Sequence, residues 1–328
     1  MSSVEPVPGT AASAASAAPA ASAVPAASAG PAQPAAPTGD VIHDIGFRHY
    51  DGQRFGRGWV VRSLLVETVR GVFGLGRPAK SKVMPWVLIA ILLIPPLVIA
   101  VVILLTGGNE LGISYTQYPG SMELVISLFV AGAAPYCVSR DLRHGVMPLY
   151  LSRPMRRSDY VLAKFGGLAI SMFAVLALAE TLLLVGALLM KLPVGAQLVG
   201  WAGGILTVAI LALILSGIAL VIAAFTLRRG VGVAAIITGL LVVSGVVQIL
   251  IAIAKDKGYP TVASYLPALN PYGLVDGIAV RLLGVEPSNS TAYPAGPLGL
   301  LVFGSLAVAT VGACLAILIR RYQKVGGV

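Results

Sequence analysis

Residues 161–190 read VLAKFGGLAISMFAVLALAETLLLVGALLM, a run of 30 residues that is almost wholly apolar. About 20 mostly apolar residues suffice to cross roughly 30 Å of hydrocarbon at about 1.5 Å per helical residue. The apolar residues run on continuously and do not alternate. A helix, which satisfies its backbone within one segment, therefore fits this stretch and a barrel strand does not.

Five further runs of the same kind lie around it, at 83–105, 121–139, 198–227, 231–254 and 296–319. The composition agrees: 57% of the 328 residues are hydrophobic, only 11% are charged, and the mean hydropathy is +0.89. That is more apolar surface than a soluble domain of this length buries. The expected fold is an all-α integral membrane protein with six transmembrane helices. Span one contains Pro95 and Pro96 and should kink there.

Lys and Arg set the orientation. With the segments before span one, between spans two and three, between spans four and five, and after span six on one side, that side holds 19 of the 23 basic residues and the other holds 4. Both termini are then cytoplasmic, in the cell membrane. Attraction of that face to anionic lipid headgroups accounts for the net charge of +10 without nucleic acid as a partner.

Residues 1–40 are rich in Ala, Pro and Ser and carry almost nothing that builds a core, so a disordered cytoplasmic tail is expected. Residues 41–82 form a cytoplasmic segment, and 83–328 the membrane domain. Within the former, Leu64, Leu65, Thr68, Val69 and Val72 recur at helical spacing opposite Arg62, Ser63, Glu67 and Arg70. This predicts an amphipathic helix at the cytoplasmic interface, either anchoring the chain or contacting a partner. A second short helix is expected in the outer loop before span six. There Asn270 is placed as its cap, Pro271 as its first residue, and Leu274, Val275, Ile278 and Leu282 share one face.

Chemical motifs are few. The chain has no phosphate-binding loop, no zinc-protease helix and no nucleophile elbow, and His43, His49 and His144 show no metal-ligand spacing. No catalytic residue and no metal site is expected. Cys137 and Cys314 lack any CxxC spacing. No internal repeat of broken helices suggests a secondary transporter. The polar groups in or near the spans are Glu123, Glu180 and Gln248. Carboxylates are costly in lipid, so Glu180 is the one to examine, as a functional group or as a packing hydrogen-bonder.

The cytoplasmic connection from span two to span three reads RDLRHGVMPLYLSRPMRRSDYVLAK over residues 140–164. Gly145 and Pro148 should end the outgoing helix, and Ser158 with Asp159 should cap the incoming one. Met147, Leu149, Tyr150 and Leu151 form an apolar cluster among Arg153, Arg156 and Arg157. A connection that only joined two spans would not need that cluster.

This stretch, together with LNPYGLVDG at 269–277 and the six-span layout over about 60–325, resembles the type 2 permeases of ATP-binding cassette transporters. The Ala/Pro tail has no counterpart in that resemblance. The resemblance implies a permease subunit, not itself an enzyme, that pairs with a second permease copy, as a homodimer in the simplest case. It implies that residues 140–159 rest on a separate ATPase subunit, which would bind the ATP and Mg while this chain binds no cofactor. The coupling residues would be Arg140, Asp141, Arg143, Met147, Leu149, Tyr150, Leu151, Arg153, Pro154, Arg156, Arg157 and Asp159. Gly132, Ala133 and Ala134 on span two would allow close helix approach in such a pair. The competing class is a membrane-embedded lipid-modifying enzyme, which should gather several polar groups at one depth of the membrane.

Overall fold

Each apolar run folds as a helix in the computed structural model, which describes residues 52, 55–76, 79–106, 112–143, 145–146, 149–150, 152, 155–226, 228–288, 293–294 and 296–325. In chain order these are α1 (Arg57–Val72), α2 (Ala79–Thr106), α3 (Tyr118–Ser121), α4 (Glu123–Arg143), α5 (Arg157–Leu189), α6 (Val194–Phe225) and α7 (Arg229–Asp256). After α8 (Pro260–Tyr265) and a 3-10 turn at Leu266–Leu269 come α9 (Pro271–Leu283) and α10 (Pro297–Val325). No strand occurs among the described residues. The tail at 1–40 lies outside them.

Among the described residues five helices, α2, α5, α6, α7 and α10, are long and apolar enough to cross a membrane. The chain is accordingly a multi-pass helical membrane protein. The sequence count of six included 121–139, which does fold as α4, but its apolar part, Glu123–Ser139, is shorter than the other five.

The bundle is built around α5 and α6. Of the most apolar window of each, 56% is buried inside the protein, against 22–28% for α2, α7 and α10, whose outward faces are left apolar. α5 packs on α1, α2 and α6, while α4 fills the space between α2, α6 and α7. Close approach depends on small residues. A Cβ added at Gly167 would stand 2.7 Å from Thr68 of α1, and one at Gly186 would stand 2.7 Å from Ala100 of α2. Ala133 and Ala134 are buried inside the chain, and Gly132 faces Met84 of α2. That small-residue face is therefore spent within the subunit, a correction to its expected use between copies.

α1 buries Val60, Leu64, Thr68 and Val72 and leaves Arg62, Ser63, Glu67 and Arg70 exposed, as its periodicity predicts. α9 is capped by Asn270, whose Oδ1 accepts the Tyr272 backbone N–H at 3.2 Å. Leu274, Val275 and Ile278 are buried against α6 and α10. Leu282 departs from the predicted face and is 51% exposed, in the last turn before the helix stops at Gly284.

α2 runs through Pro95 and Pro96 without a break in its helical assignment. Pro96 has no N–H to offer the carbonyl four residues earlier, which is that of Leu92. The Tyr118 hydroxyl donates to this carbonyl instead, from a side chain that is 1% exposed. Tyr118→Phe leaves the carbonyl without a partner and should cost about 1–3 kcal/mol. An unchanged midpoint in a detergent unfolding titration would mean that the carbonyl finds another donor.

Candidate functional site

The connection between α4 and α5 is held in place on both sides. On leaving α4 the chain turns at Gly145, whose φ of +61° suits glycine, and the Val146 N–H closes back onto the Asp141 carbonyl at 3.2 Å. One helical turn follows, with the N–H groups of Leu149 and Tyr150 donating to the Val146 carbonyl at 3.1 and 3.4 Å. On the far side α5 starts at Arg157 with Arg156 as its N-cap, two residues ahead of Ser158. Asp159 instead reaches back, accepting the Arg156 backbone N–H at 2.9 Å. The same carboxylate receives both arms of Arg57 from α1, the Nε at 2.6 Å and Nη2 at 2.5 Å. That fork-to-carboxylate pairing raises the Arg57 pKa.

Asp141 and Lys164 form the centre of this end of the bundle. Lys164 Nζ lies 3.0 Å from Asp141 Oδ2, and the Tyr160 hydroxyl donates to the same oxygen at 2.8 Å. The Tyr160 ring packs between Tyr150, at 5.6 Å between centroids, and Tyr322 of α10, at 5.1 Å. Arg157 Nη1 donates to the Gln323 carbonyl at 2.6 Å, a second tie to α10. A cavity of about 470 Å³ opens beside the ion pair, lined in part by Glu67, Tyr136, Val146 and Leu149.

The structure sorts the predicted loop residues. Leu149 is 71% exposed, and Arg143 and Arg156 are exposed as well. Asp141 and Asp159 are buried in ion pairs, because each offsets a cation from a neighbouring helix, and Tyr150 is half-buried against Tyr160. Met147, Leu151, Arg153, Pro154 and the side chain of Arg140 lie outside the described residues. Lys164, Tyr160, Tyr322 and Arg57 were not singled out from the sequence. Lys164 did leave a signal, since a lysine inside an apolar run demands a partner.

The polar residues of the spans do not form one site. Glu180, on α5, is fully enclosed, and neither of its oxygens has a hydrogen-bond partner among the described residues. Space for it comes from Gly204 of α6, where an added Cβ would stand 3.0 Å from Oε2 and 2.8 Å from Tyr115. Burial, and then the Glu180 charge, push the Tyr115 phenol up to about 12. Glu123 and Gln248 line a cavity whose wall does not include Glu180, and Gln248 is exposed on α7. No protein-family model matches the chain, and no curated protein matches it either.

Proposed function

We propose that the chain is the transmembrane permease subunit of an ATP-binding cassette transporter in a cell membrane. It has six spans, with α4 as the second, both termini in the cytoplasm and α1 at the cytoplasmic interface. The connection at 140–159 docks on a separate ATPase subunit that binds ATP and Mg, and two copies of the chain form the transport unit. The observation that carries this reading is Leu149. It is 71% exposed on a single helical turn whose flanks are tied to α1, α4, α5 and α10. An exposed apolar side chain suits a partner groove, and a turn so tied passes a displacement directly into the bundle.

Two measurements test it. Reporter fusions at Gly108, Lys191 and Gly230 check the topology: an externally active reporter should work at the first two and fail at Gly230, and the reverse result at either end overturns the six-span arrangement. Binding of the co-expressed ATPase checks the docking. Leu149→Ala should weaken it about tenfold, or about 1.4 kcal/mol. Arg156→Ala should slow association at low salt and match the wild type at high salt, because an exposed charge is screened. Wild-type affinity in Leu149→Ala would remove the turn from the interface.

A further inference from the structure

Ile214, Ile218 and Ile222 recur at helical spacing on one face of α6 and line a groove whose sides include Gly239 and Val243 of α7 and Thr310 of α10. The groove holds about 230 Å³ and opens on the apolar surface of the bundle, where Val243 is exposed. Thr310 carries the only side-chain hydroxyl in the wall among the described residues, and it donates to the Leu306 carbonyl of its own helix at 2.7 Å. An occupant is therefore held by apolar contact. The three isoleucines span about 12 Å, over which a helix of about 10 Å diameter would take roughly 900 Å³. A single hydrocarbon chain is the narrower fit.

The foot of the groove is basic. Phe225, the last residue of α6, continues the face of the three isoleucines, and the Arg321 guanidinium of α10 lies 4.5 Å from the centre of its ring. Arg321 Nε donates to the Ala224 carbonyl at 3.4 Å, which leaves its two Nη groups without a partner among the described residues. Arg228, the exposed N-cap of α7, follows three residues after Phe225, so the two Cα atoms are within about 11 Å of each other. α7 starts there with no side-chain cap and no acidic residue in its first turn. Neither arginine is in an ion pair among the described residues. Two unpaired cations where α6 ends and α7 begins, at the foot of an apolar groove, match an anionic headgroup whose hydrocarbon chain runs along the isoleucines.

We infer that this groove is a site for an anionic phospholipid, with one acyl chain on Ile214, Ile218 and Ile222 and the phosphate between Arg321 and Arg228. The inference needs only a chain that sits in a membrane, and depends on neither an ATPase partner nor the direction in which the spans run. The test is native mass spectrometry of the purified full chain in detergent, titrated with phosphatidylglycerol and, separately, with phosphatidylcholine of the same acyl chains. The first phosphatidylglycerol should bind about fivefold or more tighter than the first phosphatidylcholine, and Arg228→Gln and Arg321→Gln should each weaken it about fivefold. Arg228 is exposed, so its variant decides the matter if Arg321→Gln does not fold. Gly239→Leu fills the groove from the α7 side, where an added Cβ stands at an ordinary 3.9 Å from Ile222, and should weaken phosphatidylglycerol severalfold. Arg62→Gln removes an exposed charge on α1 and should leave the affinity unchanged. Equal binding of the two lipids, or wild-type affinity in Arg228→Gln, overturns the inference. An equal loss in Arg62→Gln does so too, by reducing the preference to diffuse charge attraction. A dimer that Gly239→Leu dissociates while phosphatidylglycerol binding stays unchanged would give the groove to a second copy of the chain instead.

Discussion

Asp141→Ala is expected to destabilise the protein by about 3–5 kcal/mol, the usual cost of removing one member of a buried ion pair. Lys164 would keep its charge in a side chain that is only 9% exposed, and the Tyr160 hydroxyl would lose its acceptor as well. Because Tyr160 packs on both Tyr150 and Tyr322, the damage should spread to the α4–α5 connection and to α10. The companion variant separates charge from packing. Asp141→Leu combined with Lys164→Met removes both charges and should recover most of the loss, since apolar replacements of a buried pair are often neutral or stabilising. Unfolding titrations of the purified protein in detergent would measure both. A loss below about 1 kcal/mol for Asp141→Ala would mean that the lysine reaches water through the adjoining cavity.

Glu180→Leu should move stability the other way, by about 1–3 kcal/mol in favour of the folded state, because it deletes a buried polar group that has no partner. The leucine is branched where the glutamate is straight, so Glu180→Met is the better-fitting second variant beside Tyr115 and Gly204. A carboxyl that weakens the fold and is still present is a candidate for a role in turnover. On the permease reading proposed above, the expectation is thus a double one: a higher unfolding midpoint together with reduced ATPase-coupled transport. A variant that is more stable and fully active would make Glu180 a tolerated cost with no functional part. A variant that is less stable would show that the carboxyl has a partner after all.

The sequence by itself determined the helices and much of their boundaries. Long apolar runs can satisfy their backbone only as helices, and local chemistry marks the ends, as Asn270 and Pro271 do for α9 and Gly145 does for α4. The amphipathic face of α1 was equally legible, because its pattern is complete within 16 residues. What touches what was decided by tertiary structure. Asp141 and Lys164 are 23 positions apart, Arg57 and Asp159 are 102 apart, and Tyr118 meets the Leu92 carbonyl across two helices. Periodicity reports which face of a helix is apolar and is silent on which neighbour covers it, so residues read as a basic, exposed loop could prove to be the buried ion pairs that hold it. The Glu123 cavity was illegible for the same reason: its walls come from α4, α6, α7 and α9, and only their packing brings Glu123 and Asp276 to one space.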